Sequence, residues 1–167
     1  MNKKILITIA ASLLLAVFTQ AAMSAQSLPA VTLEDSDGHA VSSSSLVDGK
    51  PFIVTLWATF CKPCIKELDA LNEVLLDMDQ SELPKIIAIC VDDSRSTAKA
   101  RAFAAGRGWD YVELLYDPNS DFRRAVNVNV IPHIFVYDSK GGQYYSHSGY
   151  VEGSEEELLN ILKSCSK

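Results

Sequence analysis

The chain has 167 residues, of which 48% are apolar and four are cysteine, and its formal charge is −6 at pH 7. This length holds one domain around a single core and excludes a second. The acidic balance excludes nucleic acid and anionic membrane surfaces as expected partners.

In chain order, the first segment is a leader. Lys3 and Lys4 form a charged start, Ile5 to Phe18 an apolar run, and small residues predominate from Ala21 to Ala25. That layout predicts a secretory signal peptide over residues 1–25, cleaved near Ala22 to Ser27. Its apolar run of about 14 residues falls short of the roughly 20 that span a bilayer, so cleavage is preferred to a permanent N-terminal anchor. No cysteine follows the leader to carry a lipid. The expected product is a soluble domain, residues 26–167, in the periplasm or an equivalent extracytoplasmic space. Removing the two leader lysines leaves 13 basic residues against 21 acidic ones, a formal charge of −8.

Val31 to Leu33, followed by the turn residues Asp37 and Gly38, predicts an opening β-hairpin. Phe52 to Trp57 and Ile86 to Val91 are continuous apolar, β-branched runs separated by a helix-length segment, which predicts a buried parallel βαβ unit. Within that segment Cys64, Leu68, Leu71, Leu75 and Met78 recur at helical spacing and mark a core-facing stripe. A second helix is predicted over Thr97 to Gly106, a short strand over Leu114 to Tyr116, and a short helix over Ser120 to Ala125. Ile134 to Tyr137 and Gln143 to Ser148 read as an antiparallel hairpin. Ser154 with Glu157 starts a final helix through Leu162 as a capping box.

Trp57-Ala58-Thr59-Phe60-Cys61-Lys62-Pro63-Cys64, closing a buried strand and opening a helix, resembles the thioredoxin family. Ile131-Pro132, just before a strand and about 70 residues on, resembles that family's cis-proline loop, and Gly149 with the final helix resembles its C-terminal unit. The leader, the Val-Asp-Asp after the second run, the Tyr-Asp-Pro-Asn turn and Glu67 resemble the extracytoplasmic TlpA/ResA-type thiol:disulfide oxidoreductases. The resemblance implies an α/β thioredoxin-like fold, with a central mixed sheet flanked by helices and an N-terminal hairpin. It also implies protein disulfides as substrates, a membrane-bound electron donor, and no cofactor.

The residues support the same chemistry. Two cysteines three apart, the first at a helix start, bring both sulfurs to one side of the first turn, so a reversible disulfide is feasible. The free N–H groups and positive end of the helix favour a thiolate at Cys61, which makes it the nucleophile. Cys64, one turn inside, is the resolving thiol. Pro63 falls where a missing N–H costs nothing, and Lys62 is either a thiolate neighbour or merely solvated. A structural disulfide closing so short a loop removes little chain entropy, and a structural zinc site lacks a second close ligand pair.

Glu67 is placed to exchange a proton with the resolving thiol. The resemblance strengthens that role, because cytoplasmic thioredoxins carry a buried aspartate where Thr55 stands here. The resemblance further implies a cis bond at Pro132, which turns the Ile131 backbone towards a substrate chain beside Cys61. Trp57 and Phe60 are expected to supply apolar contact surface, Trp57 more than Phe60, with ordinary core as the alternative for each. His133 departs from the family's usual threonine and is read as a residue beginning a strand; His39 and His147 are surface residues. Cys90 is expected to be a small buried hydrophobe, and Cys165 to be unpaired. Two other functions remain open: a thiol oxidase or isomerase, and a copper module ligated by Cys61, Cys64 and His133. A peroxidase fits less well with the two-cysteine motif.

Overall fold

A computed structural model describes residues 26–165. The leader expected over residues 1–25 lies outside the described residues. Seven strands form one mixed sheet: β1 (Thr32–Glu34), β2 (Ala40–Ser42), β3 (Phe52–Trp57), β4 (Lys85–Cys90), β5 (Glu113–Tyr116), β6 (His133–Tyr137) and β7 (Gln143–Ser148). Four helices accompany them: α1 (Lys62–Leu76), α2 (Thr97–Ala105), α3 (Asp121–Ala125) and α4 (Glu155–Cys165). The spatial strand order is β2-β1-β5-β4-β3-β6-β7. β3, β4 and β5 run parallel, and the flanking pairs β3–β6, β6–β7, β1–β5 and β1–β2 are antiparallel.

β3 and β4 are buried nearly throughout because both faces of the sheet are covered, so past Lys85 their sequences are runs of apolar and β-branched residues rather than alternations. Their parallel register pairs Phe52 with Lys85 at one end and Trp57 with Cys90 at the other. Both strands therefore finish at the same level, and the residues just beyond them meet.

The predicted stripe on α1 holds at Cys64, Leu68, Leu71 and Leu75, all buried. Met78 lies past the end of the helix and is only partly buried. Gly106 caps α2 rather than extending it. The opening hairpin is displaced by one residue, to Thr32–Glu34, with Gly38 in the left-handed region at φ 89° where a turn needs a residue without Cβ.

Polar anchors fix α1 against the segment after α2. Asp69 accepts from the indole N–H of Trp109 at 2.8 Å and pairs with Arg107. Asn72 donates to the Gly108 carbonyl at 3.0 Å and accepts from the Tyr111 N–H at 3.3 Å. Trp109 in turn stands edge-on to Trp57, with ring centroids 5.1 Å apart. The end of the strand that leads into the cysteine motif is therefore wedged by an aromatic cluster.

Candidate active site

β3 ends at Trp57, a four-residue turn follows, and α1 begins at Lys62 with Cys61 as its N-cap. Cys61 and Cys64 are joined as a disulfide, with Cα atoms 5.3 Å apart. Cys61 Sγ accepts a hydrogen bond from the Cys64 backbone N–H at 3.3 Å, one of the N–H groups that a helix start leaves without an intrahelical acceptor. Pro63 occupies the first turn without loss. Cys61 is 8% exposed and Cys64 fully buried, so an incoming sulfur reaches Cys61 first.

The turn before Cys61 is held from β4. Asp92 lies two residues beyond Cys90, as Thr59 lies two beyond Trp57, and the shared register of β3 and β4 brings the two together. The buried Asp92 carboxylate accepts from the Thr59 N–H at 2.8 Å, the Thr59 hydroxyl at 3.2 Å and the Cys90 thiol at 3.2 Å. Sequence reading noticed Asp92 only as part of a resembling tripeptide. Its link to Thr59 spans 33 residues and depends on strand pairing that a linear sequence does not display.

Glu67 lies one turn after Cys64 and is only 2% exposed. The Thr55 hydroxyl, projecting from β3 into the face that α1 covers, donates to Oε1 at 2.6 Å. Oε2 is buried with no hydrogen-bond partner among the described residues. Burial pushes the carboxyl up to about 7, the Thr55 hydrogen bond works against that, and the negative charge of Glu155 adds to it. A carboxyl near neutrality can both accept and return a proton at ordinary pH.

The Ile131-Pro132 peptide bond is cis. Pro132 is buried, while Ile131 is half-buried beside the exposed Val130. The expectation that Trp57 outranks Phe60 as contact surface is corrected: Trp57 is 0% exposed within the aromatic cluster, whereas Phe60 is 74% exposed in the turn before Cys61. A tryptophan at the end of a strand buried on both faces is enclosed by the helices, whereas the residue before the N-cap projects outward.

His133 starts β6, with its Nδ1 hydrogen-bonded to Ser148 Oγ at 2.7 Å and its ring against Phe135. Burial, aided by His147, lowers its proton affinity. The alternative copper ligand set is not assembled in this state: both sulfurs are in the disulfide and His133 is engaged with Ser148. Cys90 and Cys165 are unpaired, and burial raises the Cys90 thiol well above its ordinary value.

Residues 25–142 match the AhpC/TSA family. The thiol:disulfide interchange protein DsbE of Yersinia pestis is 27% identical over 148 residues, covering 86% of this chain and 75% of its own. DsbE of Escherichia coli K12 is 26% identical over 152 residues, covering 89% and 78%. A thioredoxin-like protein from Porphyromonas gingivalis, solved in solution, is 41% identical with a TM-score of 0.69, covering 85% of this chain and 92% of that one. StoA from Bacillus subtilis shares the fold at 17% identity and a TM-score of 0.61, covering 81% and 98%. The disulfide at a helix start, the cis-proline and the mixed sheet are thus found in a chain whose relatives exchange disulfides. The chain belongs to the AhpC/TSA family, within the thioredoxin superfamily, and is a thiol:disulfide oxidoreductase.

Proposed function

We propose that the protein is exported and works as a reductase of protein disulfides, recharged by a membrane-bound dithiol donor. The leader layout of residues 1–25 supports export, and among the described residues no helix is long and apolar enough to cross a membrane. The observation that carries the direction is the sparse support for a thiolate at Cys61. Its sulfur accepts one hydrogen bond, from the Cys64 N–H. His133 is engaged elsewhere, and Glu67, one helical turn after the resolving thiol, adds negative charge when ionised. Strong oxidants of this fold depend on a stabilised reduced thiolate, and withholding that stabilisation favours the disulfide.

In the cycle, the Cys61 thiolate attacks a substrate disulfide and one substrate thiolate leaves. Glu67 then takes the Cys64 proton, and the Cys64 sulfur attacks Cys61 Sγ, releasing the second substrate thiol. Pro132, Ile131 and Phe60 frame the surface where the substrate chain lies; Trp57 supports that surface from within.

The test is the reduction potential of the Cys61/Cys64 pair by dithiothreitol or glutathione titration. Cys64→Ser serves as the control and should accumulate mixed disulfides at Cys61. A potential near or below about −250 mV is expected, and one near −120 mV would reverse the direction to oxidase.

A further inference from the structure

Glu67 poses a problem for its own proposed role. To serve every turnover it must exchange its proton with solvent, yet it is enclosed: Thr55 covers one oxygen from β3 and the other has no partner among the described residues. Cys64 one turn before it and Leu68 next to it on α1 are themselves buried. The ionisable groups that reach it from other elements are Glu155, the first residue of α4, and Tyr150, in the loop between β7 and α4.

Glu155 is itself buried, and one of its oxygens accepts a hydrogen bond from the Tyr150 hydroxyl at 2.6 Å. With Lys66 and Ala70, which flank Glu67 on α1, these two residues wall a cleft of about 590 Å³ that opens to solvent. Tyr150 also borders a neighbouring cleft of about 380 Å³ with Lys62 and Pro63, beside the first turn of the cysteine helix. A buried carboxyl bonded to a half-buried phenol therefore lines the cleft together with the α1 residues on either side of Glu67.

We propose that Glu155, held by Tyr150, is a positioning residue for the exchange reaction that governs and relays the proton of Glu67; this rests on the reading of Glu67 as the proton acceptor for Cys64. In the resolving step the Cys64 S–H bond breaks and its proton passes to the Glu67 carboxylate. The Cys64–Cys61 bond then forms as the bond from Cys61 to the substrate sulfur breaks, and that sulfur leaves as a thiolate that takes a proton from water. Two electrons pass from the cysteine pair to the substrate. Glu67 returns its proton through Glu155 to the cleft. Because two interacting carboxyls resist being ionised together, the charge on Glu155 makes Glu67 a stronger base for the Cys64 proton, and the Glu155 carboxylate is the acceptor to which that proton is handed on.

The experiment follows the resolving step in single-turnover stopped flow, from pH 5 to 9, with a small disulfide probe attached to Cys61 of the full-length protein. The rate rises with pH as Glu67 ionises. Glu155→Gln keeps the shape and the acceptor for Tyr150 but removes the charge, and it should move the midpoint to lower pH by at least about half a unit. Glu155→Asp should return it towards wild type. A midpoint for Glu155→Gln within about 0.2 units of wild type overturns the proposal. Glu67→Gln separates the two levels: if it abolishes the pH-dependent limb while Glu155→Gln leaves it in place, only the relay fails. If Glu67→Gln leaves the limb intact, the underlying role of Glu67 fails.

Discussion

Glu67 couples folding stability to pH with a defined sign. Its carboxyl is raised from 4.5 in an exposed setting to about 7 in the fold. The folded state therefore binds the proton more tightly than the unfolded chain. Its contribution is fully present below about pH 4.5 and is lost as pH climbs to and through about 7, at most roughly 3 kcal/mol in all. Urea unfolding of the oxidised protein at pH 5 and pH 8 should show this loss, and Glu67→Gln should lack it. Parallel pH profiles for the two proteins would mean that Glu67 is not held away from water as the structure describes. Sequence reading identified this glutamate as a proton carrier on a helix flank, but not its enclosure. Spacing along α1 gives the angle of a side chain, whereas the hydrogen bond comes from Thr55 on β3 and the opposing charge from Glu155 on α4, residues 12 positions before and 88 after it.

At the scale of elements, α1 aims the cysteines only if it is fixed along its length, and its anchors differ in strength. The Asp69 carboxylate accepts from the buried Trp109 indole, and that donor would be left unpaired without it. Arg107, on the same carboxylate, is partly solvated. Asp69→Ala should therefore cost about 1–3 kcal/mol. Arg107→Ala should cost about 1 kcal/mol or less, including its stacking near Phe103 and Trp109. Comparison of urea midpoints at equal slope decides the order, and equal losses would refute the indole bond as the main anchor. The elements themselves were largely legible in the sequence. β3 and β7 have their predicted bounds, β1 and β4 shift by one residue, and β5 and β6 begin one residue earlier, because runs such as Phe52 to Trp57 admit no other use in a core. Less legible was what the tertiary fold brings together: Asp92 against Thr59 through strand register, and Asp69 against Trp109 through helix packing, are meetings across 33 and 40 residues. The enclosure of Trp57 is hidden for a related reason, since an aromatic beside a reactive cysteine looks like contact surface until Phe103 and Trp109 are packed around it.

For the whole molecule, redox state and folding are two sides of one cycle. The potential of the Cys61/Cys64 pair in the fold, relative to the same pair in the unfolded chain, equals the difference in stability between the oxidised and reduced proteins, about 1.4 kcal/mol for each 30 mV. The surroundings of the pair decide which form gains. Reduction creates a thiolate at Cys61 with the helix start as its support, and a thiol at the fully buried Cys64 next to a carboxyl that resists ionisation. Oxidation removes that charge and leaves a neutral disulfide against an apolar stripe. The oxidised protein should therefore be the more stable form, with a higher urea midpoint at pH 7 than protein held reduced by excess dithiothreitol. A reduced form more stable than the oxidised one would mean that the fold favours the thiolate, as in a strong oxidant, and the proposed direction of electron flow would have to be inverted.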